Sequence, residues 1–297
     1  MTTILEKTAG LAAFVRAVDT GSFTKAAQAI GSTPSAVSKS VARLERRLGV
    51  RLLQRSTRTL GLTCEGATYY ERVAPLLRAI EDAEDVVQQA NQASGLLRVS
   101  VSLDLGRTLI AGWVRELIDR YPELKLELNL SDRNVDLVRE GYDLAIRMRD
   151  QPDTQLITRK LADLHIVIAA TPDYVARRGM PRVPEDLMGH TCVRYLASGR
   201  PFPITFADGT SFVPDGSFDA DDGGAVREAV LAGAGIGHLL RFTVAEQLAA
   251  GRLIQLLPDC GLPTMPVYIV HAYGRQLPVR ARLFIDFVVE KMGRSPV

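Results

Sequence analysis

Apolar positions in the first third of the chain recur with the three-to-four spacing of helices, and the breaks between them fall on turn-forming residues. Ser22 stands where its hydroxyl can cap a helix over residues 24–30, accepting one of the unpaired N–H groups of the first turn. Gly31-Ser32-Thr33 makes a short turn, and Pro34 suits the first position of a second helix, where a missing N–H costs nothing. That helix is expected to run to about Leu48, with Gly49 as its left-handed stop. Val37, Val41, Leu44 and Leu48 form one stripe that should be buried. Ser35, Lys39, Ala42, Arg43 and Arg46 fall on the opposite side. Two helices joined by a short glycine-containing turn make the supersecondary unit that places a helix in the DNA major groove.

The pattern then changes twice. Residues 50–62, with Arg51, Arg55 and Arg58 among turn-prone Ser56 and Thr57, suggest a basic hairpin or wing. Thr63 is placed to cap a long helix that covers residues 67–93. Along it Tyr69, Val73, Leu76, Ile80, Ala83, Val87 and Ala90 are spaced by alternating steps of four and three. This heptad seam predicts a homodimer, with packing against the chain's own head as the alternative. Pro75 should kink that helix or break its first turn. After Ser94-Gly95, short apolar strands alternate with amphipathic helices, the pattern of an α/β fold. Strands are expected at 96–102, 125–130, 143–148, 165–170 and 267–272, and helices at 108–120, 135–140, 225–232 and 279–292. Asp208-Gly209 marks a hairpin.

Charge sharpens this division. Residues 1–66 hold ten Lys/Arg against four Asp/Glu, a net +6, whereas the remaining 26 basic and 30 acidic residues give −4. A basic head on a mildly acidic body is the asymmetry expected when one domain meets nucleic acid. Apolar content of 46% and charged content of 24% fit a globular chain. With no spanning apolar run and no export signal at the N-terminus, a cytoplasmic protein without membrane contact is expected. Cys64, Cys192 and Cys260 are too far apart for a zinc site and suit reduced thiols, so neither a metal nor another cofactor is expected.

The head also resembles a known family. The stretch Phe14-Val-Arg-Ala-Val-Asp-Thr-Gly-Ser-Phe-Thr-Lys-Ala-Ala, then Ser35-Ala-Val-Ser-Lys-Ser-Val-Ala-Arg-Leu-Glu45, then Leu48-Gly49, Arg55, Arg58 and Leu62-Thr-Cys-Glu-Gly66, is similar to the LysR-type regulators, with its spacings intact. Leu53-Gln54 stands where that family usually has Leu-Phe, and Thr33 where serine is common. The resemblance implies DNA contact by Thr33, Ser35, Ala36, Ser38, Lys39 and Arg43, with Arg55 and Arg58 in the wing. It implies a winged helix-turn-helix over residues 1–66, a linker and dimerisation helix over 67–94, and an effector domain over 95–297. The partners that follow are double-stranded DNA carrying an interrupted inverted repeat in a promoter, a second copy of the chain, a homotetramer, and RNA polymerase as a further candidate.

Gly95-Leu-Leu-Arg-Val-Ser, Tyr121-Pro122, Glu140-Gly-Tyr-Asp-Leu-Ala-Ile-Arg147 and Ala232-Gly-Ala-Gly-Ile-Gly237 resemble the family's effector domain, which is similar to periplasmic solute-binding proteins, in the style of its CrgA-type branch. Two α/β subdomains are implied, one of about residues 95–170 and 267–297 and one of about 171–266, with crossings near Ala170–Thr171 and Pro266–Val267. Ligands of such folds bind between subdomains, at strand ends and helix N-termini. Ser102, Asp104, Ser131, Arg147, Phe202, Asp222, Gly223 and His238 are therefore the candidate effector contacts, although Asp104 and Asp222 also fit simple helix caps and His238 a core position. Asp104 with Asp219, Asp221 and Asp222 would oppose an anion, which favours an amine-bearing or neutral effector.

Enzyme chemistry finds little support. His190 near Cys192 invites a thiol-hydrolase reading, but the four histidines, His165, His190, His238 and His271, stand isolated along the chain and no motif completes the pair. Gly233-x-Gly235-x-Gly237 follows a helix, whereas a dinucleotide loop follows a strand. A solute-transport protein would have no use for the basic head, and a nonspecific architectural DNA binder would not need the large cleft domain. A DNA-binding transcription regulator controlled by a small molecule, and not an enzyme, is the expectation.

Overall fold

The computed structural model describes residues 4–55, 60–88, 93–148, 156–273 and 277–294. The chain divides into two compact units, Met1–Asn91 with Val135–Tyr142, and Gln92–Asn134 with Asp143–Val297.

In the first unit, α1 (Ile4–Thr20), α2 (Phe23–Ala29) and α3 (Pro34–Leu48) enclose a small core. The Ser22 hydroxyl accepts the Lys25 N–H at 3.4 Å as expected, and Thr33, the last residue of the turn, also caps its helix by accepting the Ala36 N–H at 3.3 Å. Gly49 ends α3 with φ 74°, the left-handed geometry that a side chain would resist. Val37, Val41 and Leu44 pack with Phe14 as the stripe requires. Leu48 departs from it: the last residue of α3 is 37% exposed, beside exposed Gly49 and Val50, where the core has already ended.

A two-stranded wing follows, β1 (Leu53–Arg55) antiparallel to β2 (Leu60–Leu62), and then α4 (Cys64–Gln88). Thr63 starts α4 three residues ahead of the expected 67, accepting the Gly66 N–H at 2.9 Å and donating its hydroxyl to the Arg51 carbonyl at 2.7 Å. A Cβ on Gly66 would stand 1.9 Å from the Leu52 carbonyl oxygen, so only glycine lets α4 begin against the wing. The helix continues on both sides of Pro75, whose ring nitrogen has no hydrogen to offer the Glu71 carbonyl.

The second unit carries two sheets. The first has the order β4-β3-β5-β15-β6, from β3 (Gly95–Val101), β4 (Leu124–Leu130), β5 (Leu144–Met148), β6 (Ile157–Leu164) and β15 (Met265–His271). α5 (Ala111–Arg120) and α10 (Val279–Arg294) cover it, with Leu97, Val99, Val101, Ile146, Ile269 and Phe284 at its core. A π-helical turn, Leu105–Ile110, leads into α5, so the helix expected from residue 108 begins irregularly. α6 (Leu137–Glu140), expected in the C-terminal domain, falls in the segment that groups with the first unit.

The second sheet has the order β12-β8-β13-β7-β14, with β9 paired to β8. Its members are β7 (Ile166–Ala170), β8 (Cys192–Ala197), β9 (Arg200–Pro201), β12 (Gly216–Ala220), β13 (Ile236–Leu240) and β14 (Ile254–Leu256). α7 (Pro172–Arg178), α8 (Gly223–Leu231) and α9 (Arg241–Ala249) flank it. Along β7 the side chains alternate between two cores, Val167 and Ala169 to one, Ile168 and Ala170 to the other. β10 (Ile204–Thr205) and β11 (Ser211–Phe212) form the expected hairpin, with Gly209 at φ 91° and the Asp208 carboxylate accepting the Thr210 N–H.

Both crossings between sheets differ from expectation. The first falls at His165, between β6 and β7, so β7 belongs to the second sheet rather than the first. The cause is β6, an edge strand whose exposed, charged sequence lacks an apolar alternation and hides it from periodicity. The second crossing lies between Leu256 and Met265, ahead of Pro266, which is already inside β15.

Candidate recognition helix and ligand cleft

The outer face of α3 is bare. Ser35, Ala36, Lys39 and Arg43 are exposed, Ser38 is half-buried, and exposed Thr33 uses its hydroxyl as the cap. Among the described residues neither Lys39 nor Arg43 meets a carboxylate. The only acid of α3, Glu45, is turned inward to the backbone: its Oε1 accepts the N–H groups of Leu52 at 2.8 Å and Leu53 at 3.0 Å. This anchor ties the recognition helix to the wing and removes the one negative charge from the outer face. Nothing in the spacing of Glu45 along the sequence announces the contact. The Arg55 side chain and all of Arg58 lie outside the described residues, as do Ala90 and the side chains of Ala83 and Val87.

The seam of α4 is divided. Tyr69 and Val73 pack in the head's own core, Tyr69 with its ring centroid 5.8 Å from that of Phe14. Tyr70 donates a short hydrogen bond to Asp19 beside it. Leu76 and Ile80 instead stand 65% and 51% exposed. Packing against the head thus holds for the first turns of the stripe, whereas Leu76 and Ile80, farther along the described residues, stay exposed.

The C-terminal unit holds a cavity of about 330 Å³ between its sheets. Ser102, Asp104, Arg147, Phe202, Gly223 and His238 line it, six of the eight expected contacts. Ser131 does not: its hydroxyl accepts the Arg133 N–H, and the neighbouring Asp132 and Asn134 reach the cavity in its place. Asp222 does not line it either. It caps α8 through the Ala225 N–H at 2.8 Å and pairs with Arg107 at 3.7 Å, as the simple cap reading allowed. Asp219 is drawn to Arg194 at 2.7 Å, so the acidic run 219–222 does not face the ligand space.

Each wall has a distinct chemistry. Arg147 is buried, with one nitrogen 2.7 Å from the Ser100 hydroxyl and another 3.1 Å from the Ile146 carbonyl. Opposite are Tyr195, Phe202 and His238, the last two rings nearly parallel at 13° with centroids 6.2 Å apart. Burial holds the His238 imidazole neutral, its pKa lowered to about 4, and among the described residues its buried Nε2 has no hydrogen-bond partner. Ser198, with φ 51°, and Gly199, with φ 76°, turn β8 into β9 at the cavity's edge. This left-handed pair suits a two-residue hairpin, but serine in the first place gives a weak sequence signal.

Asp104 ends the first wall. Burial raises its pKa, Asp132 and Asp222 add to the rise, and Arg227 and Arg107 oppose it. A Cβ on Gly223 would lie 2.2 Å from Asp104 Oδ2, so the missing side chain admits this carboxylate to the first turn of α8. Elsewhere, burial pushes the Cys192 thiol up to about 11, and His190 faces the Tyr174 hydroxyl at 3.3 Å. That arrangement suppresses a thiolate and offers no nucleophile–base pair. Among the described residues no helix is long and apolar enough to cross a membrane, and no cluster of three metal-ligating side chains occurs.

Comparisons with known proteins match both halves. Residues 9–67 match the bacterial regulatory helix-turn-helix protein model of the lysR family, and residues 90–293 match the LysR substrate binding domain. The HTH-type transcriptional regulator CrgA of Neisseria meningitidis is 34% identical over 289 residues, covering 96% of this chain and 97% of that one. An HTH-type transcriptional repressor of Pseudomonas aeruginosa is 36% identical over 301 residues, covering 98% and 94%. The solved structure of CrgA superposes with a TM-score of 0.63 over 99% of this chain and 100% of that one. A full-length AphB variant, 27% identical, gives 0.64 over 94% and 97%.

Proposed function

This chain belongs to the LysR family of bacterial transcription regulators, and from that membership we infer how its parts divide the work. It is a DNA-binding regulator whose activity is modulated by an effector taken up in the C-terminal domain, and its relatives are regulators rather than enzymes. Within that frame α3 enters the major groove. Ser35, Ala36 and Ser38 approach base edges, and Lys39, Arg43 and the wing arginines Arg55 and Arg58 meet phosphate. Thr33 sits at the helix N-terminus, where backbone N–H groups favour a phosphate oxygen. Leu76 and Ile80 pair with the same residues of a second copy, and a two-fold dimer reads an interrupted inverted repeat. A tetramer and contact with RNA polymerase extend the same scheme.

The observation that carries this proposal is the outer face of α3: exposed, basic, and cleared of its one acid by the inward turn of Glu45. The cavity of the C-terminal unit supports the second half. An effector there alters transcription by favouring one arrangement of subunits over another by a few kcal/mol. Fluorescence anisotropy on the DNA upstream of the protein's own gene, beside a scrambled duplex, tests the recognition helix. A preference of about 10³ or more for the native sequence, mostly lost in Lys39→Ala/Arg43→Ala, is the expected result. Equal affinity for both duplexes with a steep salt slope would make the head a phosphate-driven, nonspecific binder.

A further inference from the structure

We propose that Asp104 is the specificity-determining residue of the cleft and that the effector carries a cationic nitrogen, a protonated amine or amidine, on a compact apolar body. This rests on the assignment of the cavity as the effector site and names the chemistry that the site selects.

The positive end of a helix dipole ordinarily welcomes an anionic ligand. Here the first turn of α8 is already taken by the chain itself, because glycine at 223 lets Asp104 Oδ2 press against it. A ligand carboxylate arriving at that turn would have to displace Asp104 or stand beside it in a partly desolvated space. Among the described residues the Asp104 carboxylate makes no hydrogen bond or ion pair, although it borders the cavity. Asp132 reaches the same wall, with its Oδ1 holding the Leu103 N–H at 3.0 Å. Arg147 donates to Ser100 and to the Ile146 carbonyl and His238 is uncharged, while Arg107 and Arg227, the cations that act on Asp104, are paired with Asp222 and Glu228. His238, whose buried Nε2 has no hydrogen-bond partner among the described residues, belongs to the same lining. Tyr195 and Phe202 provide the apolar surface for the ligand's body.

Titration calorimetry on the full chain, with probes matched in shape and opposite in charge, tests the assignment: phenethylamine against hydrocinnamate, and cyclohexylmethylamine against cyclohexylacetate. The amine of each pair should bind about tenfold or more tightly, and Asp104→Asn should remove most of that advantage, the usual worth of a charge-assisted hydrogen bond. Carboxylates that bind as well as the amines overturn the proposal. Amine binding that survives Asp104→Asn but is weakened by Phe202→Ala leaves the cleft as the effector site and removes the assigned chemistry. Binding indifferent to both substitutions removes the cleft assignment itself. The unsubstituted protein provides a control that needs no variant to fold. Amine affinity should fall as pH is lowered through the raised titration of Asp104, which Asp132 and Asp222 push up and Arg227 and Arg107 pull down. A flat profile counts against the proposal.

Discussion

In the head, Lys39 and Arg43 on the outer face of α3 meet no carboxylate among the described residues, and the nearest acid has been withdrawn to hold a backbone turn. In the C-terminal unit the arrangement is reversed. Arg194 is held by Asp219, buried Arg280 by Asp143, and Arg120 by Glu290, while among the described residues Asp104 at the cavity makes no hydrogen bond or ion pair and feels Arg227 and Arg107 only at a distance. The difference follows from what each surface meets. A polyanion is bound by many exposed cations that release counterions, so pairing them within the protein would waste the attraction. A small ligand is bound by few groups in partial isolation from water, where one unpaired charge selects strongly and stray charges must be neutralised elsewhere.

If the head depends on a backbone contact at one point, Gly66→Ala should damage it most. Its Cβ would stand 1.9 Å from the Leu52 carbonyl, so either α4 or the wing must move. A cost of about 3 kcal/mol is expected, at the high end for a steric insertion against backbone. Hydrogen exchange should show faster opening in the head's peptides alone, with DNA binding reduced and protection of the two C-terminal sheets unchanged. Equal loss of protection in both units would mean that they do not open separately.

The sensor should reveal its own weakness in acid. With its folded pKa lowered to about 4 from the usual 6.5, His238 stays neutral in the folded protein while the unfolded chain takes up a proton. Stability is therefore complete above the unfolded value and declines as pH falls toward the folded one, by roughly 3 kcal/mol in all. His238→Phe, which keeps a ring against Phe202, should flatten that limb in urea titrations between these two pH values. An unchanged limb would assign the acid sensitivity to other groups.

Glu45→Ala returns the comparison to the head. Removing the carboxylate leaves the Leu52 and Leu53 N–H groups without their acceptor, at a cost of about 2 kcal/mol. Glu45→Gln should recover part of it through the remaining carbonyl oxygen. Because the wing rather than the core is released, DNA affinity should fall more than the melting temperature implies. A loss of stability without a loss of affinity would show that the wing does not need this anchor to hold DNA.

These two surfaces were unequally legible before the structure. The recognition helix is written in 15 consecutive residues, where caps, stripe and stop have fixed spacings, and only Leu48 escaped the pattern. The Glu45 contact reaches seven and eight residues along a turn whose path no periodicity records. The cleft joins residues from Ser102 to Met265, so its lining depends on which sheet each strand joins. Missing the polar edge strand β6 moved the first crossing by five residues, and expecting Ser131 rather than Asp132 at the strand end shifted one contact by a single position. His238 and Phe202 were legible as wall residues, but their near-parallel rings were not, because stacking depends on β9 folding back along β8.

The smallest expected effect comes from the sensor's best-formed surface ion pair. Arg194 meets Asp219 through two nitrogens, at 2.7 and 2.8 Å, and donates to the Pro214 carbonyl at 3.1 Å. Gly216 leaves room for it, since a Cβ there would lie 2.5 Å from the guanidinium Nε. The pair joins β8 to the edge strand β12 but is partly open to solvent, so screening limits its worth. Arg194→Ala should cost about 1 kcal/mol or less and leave probe binding in the cavity unaltered, because neither partner lines it. A larger loss, or a change in amine affinity, would mean that Asp219 freed from Arg194 acts on the ligand space. The separation between a neutralised periphery and one selective carboxylate would then fail at its most testable point.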